Sequence, residues 1–430
     1  MSSLELSCHW LSGGGDADVD RVALADLTIR ANGATLTESE DLFAMTVRES
    51  ARLSAYPLAL WVASNWWRLR WEPWRNTLDW RLSHCMASAG GGYAWPDVCF
   101  SSDGGRMRIE SQAVYSREMS VRYLCDRTEA ISAGDFEAGM DSFVGTVLAR
   151  VSAFGGANDL SAIWQEVMAE RADPQMSAWR KLEALMGCDP DDADDVLMDA
   201  LGELSRTYGV GSIEELAAHG ERHTPLVVEQ LLSRATGTEK ATIYKWPTLK
   251  AQLPERNDQR PWHQAREAAS IAREAWGLDA TEPITNEALS DLLSVRLAYI
   301  ENGDSYALPG VGVRLDDAGG FEPVLSKRHA SARRFELARL AGDSLLADPT
   351  DKLWPATNSK TVRQKFQRAF AQELLCPYDA LVSFFGGVEM EDEAIEEAAQ
   401  KYCVSPLLVK TTLVNHGHLD REELTMDLVE

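Results

Sequence analysis

The chain has 430 residues and a formal net charge of −25, with 45% hydrophobic and 25% charged residues. This is globular composition, long enough for two or three domains, and the acidic charge disfavours nucleic acid and anionic membranes as partners. No apolar run has membrane-spanning length, and the polar N-terminus lacks a signal peptide's regions, so we predict a cytoplasmic protein without membrane association. Seven cysteines without a CxxC pair predict reduced thiols.

Residues 1–133 are predicted to form a mixed, β-rich domain with many tryptophans. The pair Asn32-Gly33, inside the alternating stretch 21–37, predicts a hairpin turn. A second hairpin is predicted over residues 98–109, with its tip at residues 103–105.

Residues 58–95 hold half of the chain's 14 tryptophans. Apolar residues at helical spacing predict one helix with a tryptophan face. We favour a small core, because tryptophans bury large areas. The alternative is a recognition surface, on which Trp66, Trp67, Arg68 and Arg70 stack on a base, a nucleotide or a peptide.

Residues 134–257 are predicted as a helical region that ends in a linker at about 251–260. Proline follows Asp173 and Asp189, and Ser212 with Glu215 is typical of a capping box. The aspartates of residues 189–195 lack the central glycine and final glutamate of a calcium loop, so we interpret them as helix N-terminal residues.

One histidine pair in this region stands four residues apart, as in a zinc-binding helix. His219 and His223 flank Glu221, which is one place out of the HExxH position. We therefore predict no zinc site there.

Residues 258–430 are predicted as a third domain. A helix opens at Pro261, and strands are expected over 297–300 and 312–315 with a turn at Pro309-Gly310 between them. Two closing helices, over 394–402 and 406–414, have helix-turn-helix spacing. The second helix carries only Lys410 as a basic residue, so we favour a structural role over DNA binding.

The stretch 327–378 organises this third domain. Apolar residues at three- and four-residue steps predict two amphipathic helices that pack on each other. The first contains RFELARLAGDSLL at 334–346, and the second contains FQRAFAQELLCP at 366–377.

These two helices resemble those of the ImmA/IrrE-type zinc metallopeptidase-like family, RFTLAHELGHLLL and EANRFAAELLMP. The resemblance covers residues 262–419 and implies a metallopeptidase-like α+β domain at the C-terminus. The whole chain is thus predicted to be α+β, with a β-rich N-terminal domain, a helical middle region and this C-terminal domain. The framework residues match, but the chemical residues do not.

Four positions carry the chemistry in that family. Arg339 and Asp343 stand where it has its two histidines, Leu340 replaces the general-base glutamate, and Phe366 replaces the glutamate of the second helix. A catalytic zinc needs three protein ligands and an activated water. The resemblance therefore implies a degenerate site, and we predict no metal, no cofactor and no peptidase activity.

The replacements suggest a metal-free arrangement. Arg339 and Asp343 are four residues apart, so we hypothesise an ion pair between them, with Phe366 filling the space opposite. Arg334 and Arg368 make the former cleft basic, which indicates an anionic ligand or an acidic peptide. The predicted binding residues come from this cleft and from the tryptophan-rich segment. They are Arg334, Arg339, Asp343, Arg368, Trp66, Trp67, Arg68 and Arg70.

The resemblance implies a bacterial pseudopeptidase that acts as a sensor, a regulator or a partner-binding component. The resemblance implies that it would act in stress response, in a toxin–antitoxin system or in phage defence, and that it would bind a protein partner. Two alternatives stay open: an active hydrolase whose site lies elsewhere, and a nucleic-acid-binding regulator. The sequence leaves the oligomeric state open.

Overall fold

A computed structural model describes residues 3–11, 19–113, 120–154, 158–220, 224–237, 239–253, 260–387, 390–420 and 424. The protein is α+β, as predicted, and its sheets are antiparallel. It divides into two compact units, Met1–Met198 and Asp199–Glu430. The division into three domains at residues 133 and 257 stays a prediction. No helix among these residues has the length and apolar character needed to cross a membrane.

Unit 1, Met1–Met198, contains short antiparallel sheets and helices. Its strands are β1 Leu4–Trp10, β2 Leu24–Ala31, β3 Ala34–Thr35, β4 Ser39–Asp41, β5 Thr46–Arg48, β6 Ala51–Ser54, β7 Asp97–Ser102, β8 Arg106–Gln112, β9 Val121–Tyr123 and β10 Arg127–Ser132. Its helices are α1 Val19–Val22, α2 Ala55–Ser64, α3 Trp66–Trp71, α4 Leu78–His84, α5 Ala133–Ser152, α6 Asp159–Ala172 and α7 Pro174–Met186, while α8 Asp195–Tyr208 contains the boundary between the units.

Both predicted hairpins are confirmed. The turn between β2 and β3 consists of Asn32 and Gly33, at φ +47° and +84°. Positive φ at both central residues is what a two-residue hairpin turn requires, and asparagine and glycine adopt it most readily. The second hairpin joins β7 to β8, and the Asp103 carboxylate accepts hydrogen bonds from the amides of Gly105 and Arg106 at its tip.

The predicted single tryptophan helix is wrong, because the structure has two helices, α2 and α3. The chain leaves helical geometry at Asn65, where φ is −106° and ψ is +11°. The Asn65 side chain donates to the carbonyl oxygen of Trp61 at 2.8 Å. The amide of Asn65 donates to the same oxygen at 3.0 Å, so the side chain shares this acceptor with the last backbone bond of α2.

The cysteine prediction is wrong for one pair. Cys85, at the end of α4, and Cys99, in β7, form a disulfide across an isolated antiparallel bridge. The two residues are 14 apart in sequence, a spacing that no motif indicates. Only the pairing of α4's end with β7 brings them together.

The helical prediction for the middle of the chain is confirmed, and one of its caps is as expected. Asp173 accepts hydrogen bonds from the amides of Gln175 and Met176, and Pro174 takes the first helical position of α7. The capping box at Ser212 is wrong, because α9 already begins at Val210. Ser212 instead donates its hydroxyl to the carbonyl oxygen of Leu353 at 2.7 Å.

Unit 2, Asp199–Glu430, is mostly helical around one sheet. Its helices are α9 Val210–Gly220, α10 Thr224–Arg234, α11 Trp246–Gln252, α12 Pro261–Trp276, α13 Asn286–Leu293, α14 Leu297–Glu301, α15 Ala330–Leu346, α16 Val362–Leu375, α17 Tyr378–Phe385, α18 Asp392–Tyr402 and α19 Pro406–Asn415. Its strands are β11 Ala241–Thr242, β12 Gly310–Arg314, β13 Gly320–Val324 and β14 Leu353–Ala356, in the antiparallel order β11-β13-β12-β14.

One strand prediction in unit 2 is confirmed and another is wrong. The expected strand over 312–315 corresponds to β12. The expected strand over 297–300 is the helix α14 instead, so Pro309-Gly310 does not join two strands. Ile300 is the one fully buried residue of α14. A strand with one buried face would bury every second residue, whereas a single turn of helix buries one side.

The two helices predicted over 327–378 are confirmed as α15 and α16, with β14 in the connection between them. Gly342 of α15 lies directly against the ring of Phe370 in α16. A Cβ atom added at Gly342 would lie 2.5 Å from Cδ1 of Phe370 and 2.7 Å from its Cγ. Phe370 is itself buried, so its ring has little room to move.

We expect Gly342→Ala to lower the free energy of unfolding by about 1–3 kcal/mol through overpacking. The matched control is Gly202→Ala in α8, where an added Cβ meets nothing within 4 Å. That substitution should stabilise slightly, by up to about 1 kcal/mol, because alanine has the higher helix propensity. Urea denaturation of both variants measures the difference, and a Gly342→Ala protein as stable as the Gly202→Ala protein would refute this packing.

Candidate functional site

Arg339 lies in the middle of α15, and its side chain is buried. Its Nη2 donates to the carbonyl oxygen of Thr357 at 2.6 Å and to Oε1 of Gln364 at 2.5 Å. Burial, followed by the nearby Arg368 guanidinium, lowers the pKa of Arg339 to about 9, which leaves it protonated at neutral pH. A protonated guanidinium has no acceptor atom, so Arg339 cannot ligate a metal.

Asp343 does not pair with Arg339, so that hypothesis is wrong. Its two carboxylate oxygens accept from Nε and Nη2 of Arg363 in α16, at 2.7 and 2.8 Å. Nη1 of Arg363 donates to the Asp351 carboxylate at 2.7 Å. A bidentate Arg–carboxylate pair is stronger than a helical i,i+4 pair, and the partner on α16 satisfies its geometry better.

Leu340 and Phe366, the two other residues that the resemblance singles out, are apolar and fully buried. Leu340 belongs to the hydrophobic core of unit 2. Phe366 is buried in the same core, with its ring stacked on Phe370 at a centroid distance of 6.1 Å. Neither side chain offers a proton acceptor or a ligand atom at this place.

Gln364 links the polar groups around Arg339. Besides accepting from Arg339, its Oε1 accepts from the amide of Thr357, and its Nε2 donates to the carbonyl oxygen of Pro355 at 2.8 Å. The side chain therefore connects α15, α16 and β14 by hydrogen bonds. A polar network in a low-dielectric interior fixes one arrangement of the elements that it joins.

Glu215 of α9 adds a buried carboxylate beside this network. It accepts a hydrogen bond from the hydroxyl of Thr361 at 2.8 Å. Burial raises the pKa of Glu215, against the opposing effects of the Arg363 guanidinium and of the Thr361 hydroxyl. The folded protein therefore keeps a proton on Glu215 to a higher pH than the unfolded chain does.

This raised pKa predicts a pH dependence of stability. Its contribution is fully present below the ordinary glutamate pKa of about 4.5 and is lost as pH rises through the higher folded value. In Glu215→Gln, whose side chain stays neutral, we expect a flatter dependence above pH 4.5, by up to about 1.4 kcal/mol per pH unit. Urea denaturation between pH 4 and 8 tests this, with Glu203→Gln as the control for loss of an exposed carboxylate. Parallel curves for wild type and Glu215→Gln would contradict it.

The two other predicted binding residues of α15 and α16, Arg334 and Arg368, also make hydrogen bonds inside the fold. Arg334 is buried and donates to Oδ1 of Asn286 at 2.7 Å and to the carbonyl oxygen of Ile284. Arg368 donates to the carbonyl oxygens of Ser359 and Thr357, at 2.9 and 3.4 Å. The hydrogen-bond acceptors of both arginines are neutral oxygens. That Arg334 and Arg368 bind an anionic ligand or an acidic peptide stays a prediction.

Trp66 and Trp67 lie inside unit 1. The ring of Trp66 packs edge-on against Trp164, with centroids 5.3 Å apart, and Trp67 donates its indole N–H to Glu170 at 2.7 Å. Both are almost completely buried. This supports the core interpretation and disagrees with an exposed stacking surface, since a stacking ring needs an accessible face.

Arg68 and Arg70 are buried as well. Arg68 donates to Glu72 at 2.8 Å and to Asp79 at 2.7 Å. Arg70 pairs with Glu137 and donates to the carbonyl oxygen of Gly104 at 3.0 Å. With their donors engaged inside unit 1, these arginines complete its internal network.

The structure brings together no group of three or more histidine, cysteine, aspartate or glutamate residues fit to hold a metal, in the part of the chain that it describes. His223, one half of the sequence-level histidine pair, lies outside that part. In the acidic run 189–195, Asp194 caps α8 through the amides of Val196 and Leu197, as the capping interpretation expects. Asp189 and Asp191 instead pair with Arg68 and Arg180.

The closing helices form as predicted. The apolar residues with helix-turn-helix spacing are buried in the core of unit 2, and Lys410 pairs with Asp392 at 2.9 Å. A basic residue held by a carboxylate is less able to contact a phosphate.

Comparisons with known proteins identify no relative. No protein-family model, no curated protein and no solved structure matches the chain.

Sequence reasoning missed Arg363, Asp351, Gln364 and Glu215. These residues come from α9, α16 and the loop before β14, and no spacing rule connects them. The one signal in the sequence is Glu215 itself, a carboxylate among the apolar residues of α9 whose spacing from Ser212 is typical of a capping box.

Proposed function

We propose that this chain is a catalytically inactive, metallopeptidase-like protein that acts by binding a protein partner, as a sensor or regulator. The observation that supports this most is the contact set of Arg339. Its guanidinium spans from α15 to Thr357 and Gln364, where the family that α15 and α16 resemble has a metal ligand. A buried side chain that is protonated at neutral pH cannot serve as a zinc ligand there, which supports the proposal.

The resemblance of α15 and α16 extends the proposal to a biological setting. It suggests a bacterial, cytoplasmic protein of stress response, toxin–antitoxin systems or phage defence. In this proposal the three polar links Arg339–Gln364, Asp343–Arg363 and Arg363–Asp351 take the place of metal coordination in connecting α15, α16 and the loop before β14.

Metal analysis with a peptidase assay tests the proposal. The purified protein is equilibrated with Zn²⁺, dialysed, and measured for zinc per chain, and the same sample is assayed on an unfolded protein substrate. We expect far less than one zinc per chain and no cleavage. One zinc per chain that is lost in a His219→Ala, His223→Ala double variant would overturn the proposal, and zinc-independent cleavage would indicate the alternative hydrolase.

A gain-of-function variant tests the scaffold itself. Restoring the four family residues, as Arg339→His, Leu340→Glu, Asp343→His and Phe366→Glu together, should create a site that retains about one zinc per chain. The control keeps Phe366 and Leu340 and changes only the other two positions, which supplies too few ligands. A folded four-residue variant, verified by circular dichroism, that binds no more zinc than this control would refute the metallopeptidase-like scaffold.

A further inference from the structure

A cavity of about 370 Å³ in unit 2 lies where the first residues of three helices meet. Asn286 is the first residue of α13, Ala330 and Ser331 begin α15, and Pro406 begins α19, and all of them line the cavity. These helices have 8, 17 and 10 residues. The N-terminal end of each helix carries a partial positive charge, so the three ends together favour an anion.

The start of α15 has donors to offer. Its N-cap residue, His329, makes no capping hydrogen bond with its side chain. The first amides of a helix have no partner inside the helix, and a side chain, water or ligand must satisfy them. In α13 and α19 the residues Thr285 and Ser405 cap one amide each, which leaves α15 as the most open of the three ends.

Arg334 is the second, independent indication. It lines the cavity, and only 1% of its surface is exposed. Its two Nη atoms donate to neutral oxygens of Asn286 and Ile284, while its Nε has no hydrogen-bond partner. Among the described residues no carboxylate forms an ion pair with it, in contrast to Arg363, which has two. The exposed carboxylate of Glu287 acts on Arg334 through space without a hydrogen bond, and burial still lowers the pKa of Arg334. Burying this cation is therefore costly, and a bound anion close to it would reduce that cost.

The rest of the lining defines the ligand further. Val404, Pro406 and alanine side chains form an apolar wall. Glu396, an exposed residue of α18, contributes one negative charge at the edge and disfavours a ligand of high negative charge. The lining therefore combines one buried guanidinium with apolar side chains. The volume of the cavity falls in the range of small-molecule sites.

We propose that this cavity binds a small molecule that carries one carboxylate or phosphate group on an apolar body. The anionic oxygens accept from the first amides of α15, the positive charge of Arg334 attracts them, and the body lies against Val404 and Pro406. This inference goes beyond the proposed function and does not depend on it, because neither zinc nor catalysis enters the argument.

Three probes with one shared aromatic body test the site. Benzoate and phenyl phosphate carry the two anionic groups, and benzamide is the neutral control. Isothermal titration calorimetry of the intact protein is expected to show saturable binding of at least one anion and no binding of benzamide. Tighter binding of phenyl phosphate assigns a phosphate ligand, and tighter binding of benzoate assigns a carboxylate ligand. Absence of binding by both anions at millimolar concentration, or equal binding of benzamide, overturns the proposal.

Two substitutions keep the experiment independent of folding defects. Ser331→Glu places a carboxylate in the first turn of α15, where it favours the helix and occupies the anion's place, so binding should weaken about tenfold or more. Ser331→Gln is its neutral control and should bind within a few-fold of wild type. Glu396→Gln removes the charge at the edge and should tighten binding a few-fold. Unchanged affinity in the folded Ser331→Glu variant contradicts the assigned site.

Discussion

Replacing Asp343 by alanine is expected to lower the free energy of unfolding of unit 2 by about 3–5 kcal/mol. The carboxylate is almost fully buried and receives three hydrogen bonds from Arg363. Its loss leaves a buried guanidinium with Asp351 as its remaining carboxylate partner. Removal of one member of a buried ion pair costs more than the pair contributes, since the other charge stays out of water.

Chemical denaturation of the Asp343→Ala protein measures this loss. The matched control is Glu203→Ala, which breaks the exposed pair with Arg206 in α8. Exposed pairs contribute about 0–1 kcal/mol, so the control should stay close to wild type. Because Asp343 and Arg363 act as one unit, the double variant Asp343→Ala, Arg363→Ala should cost less than the sum of the single variants. Equal effects of Asp343→Ala and Glu203→Ala would show that the buried network contributes little.

Replacing Trp66 by alanine is expected to destabilise unit 1 by about 3–5 kcal/mol. Its indole is 1% exposed and packs between Trp164 and Phe136, with the guanidinium of Arg171 4.3 Å from the ring centroid. Alanine removes most of that contact area and leaves a cavity that the neighbouring aromatic rings fill only in part.

The control for Trp66 is Trp74, a tryptophan of the same segment that is 43% exposed. Trp74→Ala should cost about 1 kcal/mol or less, because less of its surface is removed from water on folding. Thermal unfolding followed by near-ultraviolet circular dichroism compares the two variants. A Trp66→Ala protein that unfolds like wild type would contradict the core interpretation and would favour the alternative, in which Trp66 belongs to a recognition surface.

The sequence predicted local structure correctly where the cause of that structure lies in a few adjacent residues. The turn at Asn32-Gly33 depends on backbone conformation alone, and the helix start at Pro174 depends on a missing amide. The pair α15 and α16 followed from apolar spacing. The helix break at Asn65 was missed because it is a change of backbone conformation at one residue, inside an apolar pattern that continues on both sides.

Most of the candidate site lay beyond sequence reasoning for a different reason. Arg339 and Asp343 were chosen as partners because they are neighbours on one helix. In the folded chain each finds a better partner on α16, and the choice depends on how closely α15 and α16 pack at Gly342. Glu215 enters from α9, and burial alone gives it its raised pKa. Such pairings belong to the tertiary structure and leave no periodic trace.

The hydrogen bonds between Ser212 and Leu353 also have a consequence during protein synthesis. Ser212 and Leu353 are separated by 141 residues, yet the hydroxyl of one bonds both backbone groups of the other. At a synthesis rate of about 5–20 residues per second, roughly 7 to 28 s pass between the emergence of these two partners. For that time α9 has no strand β14 to pack against, and its buried apolar face must stay exposed or be covered by something else.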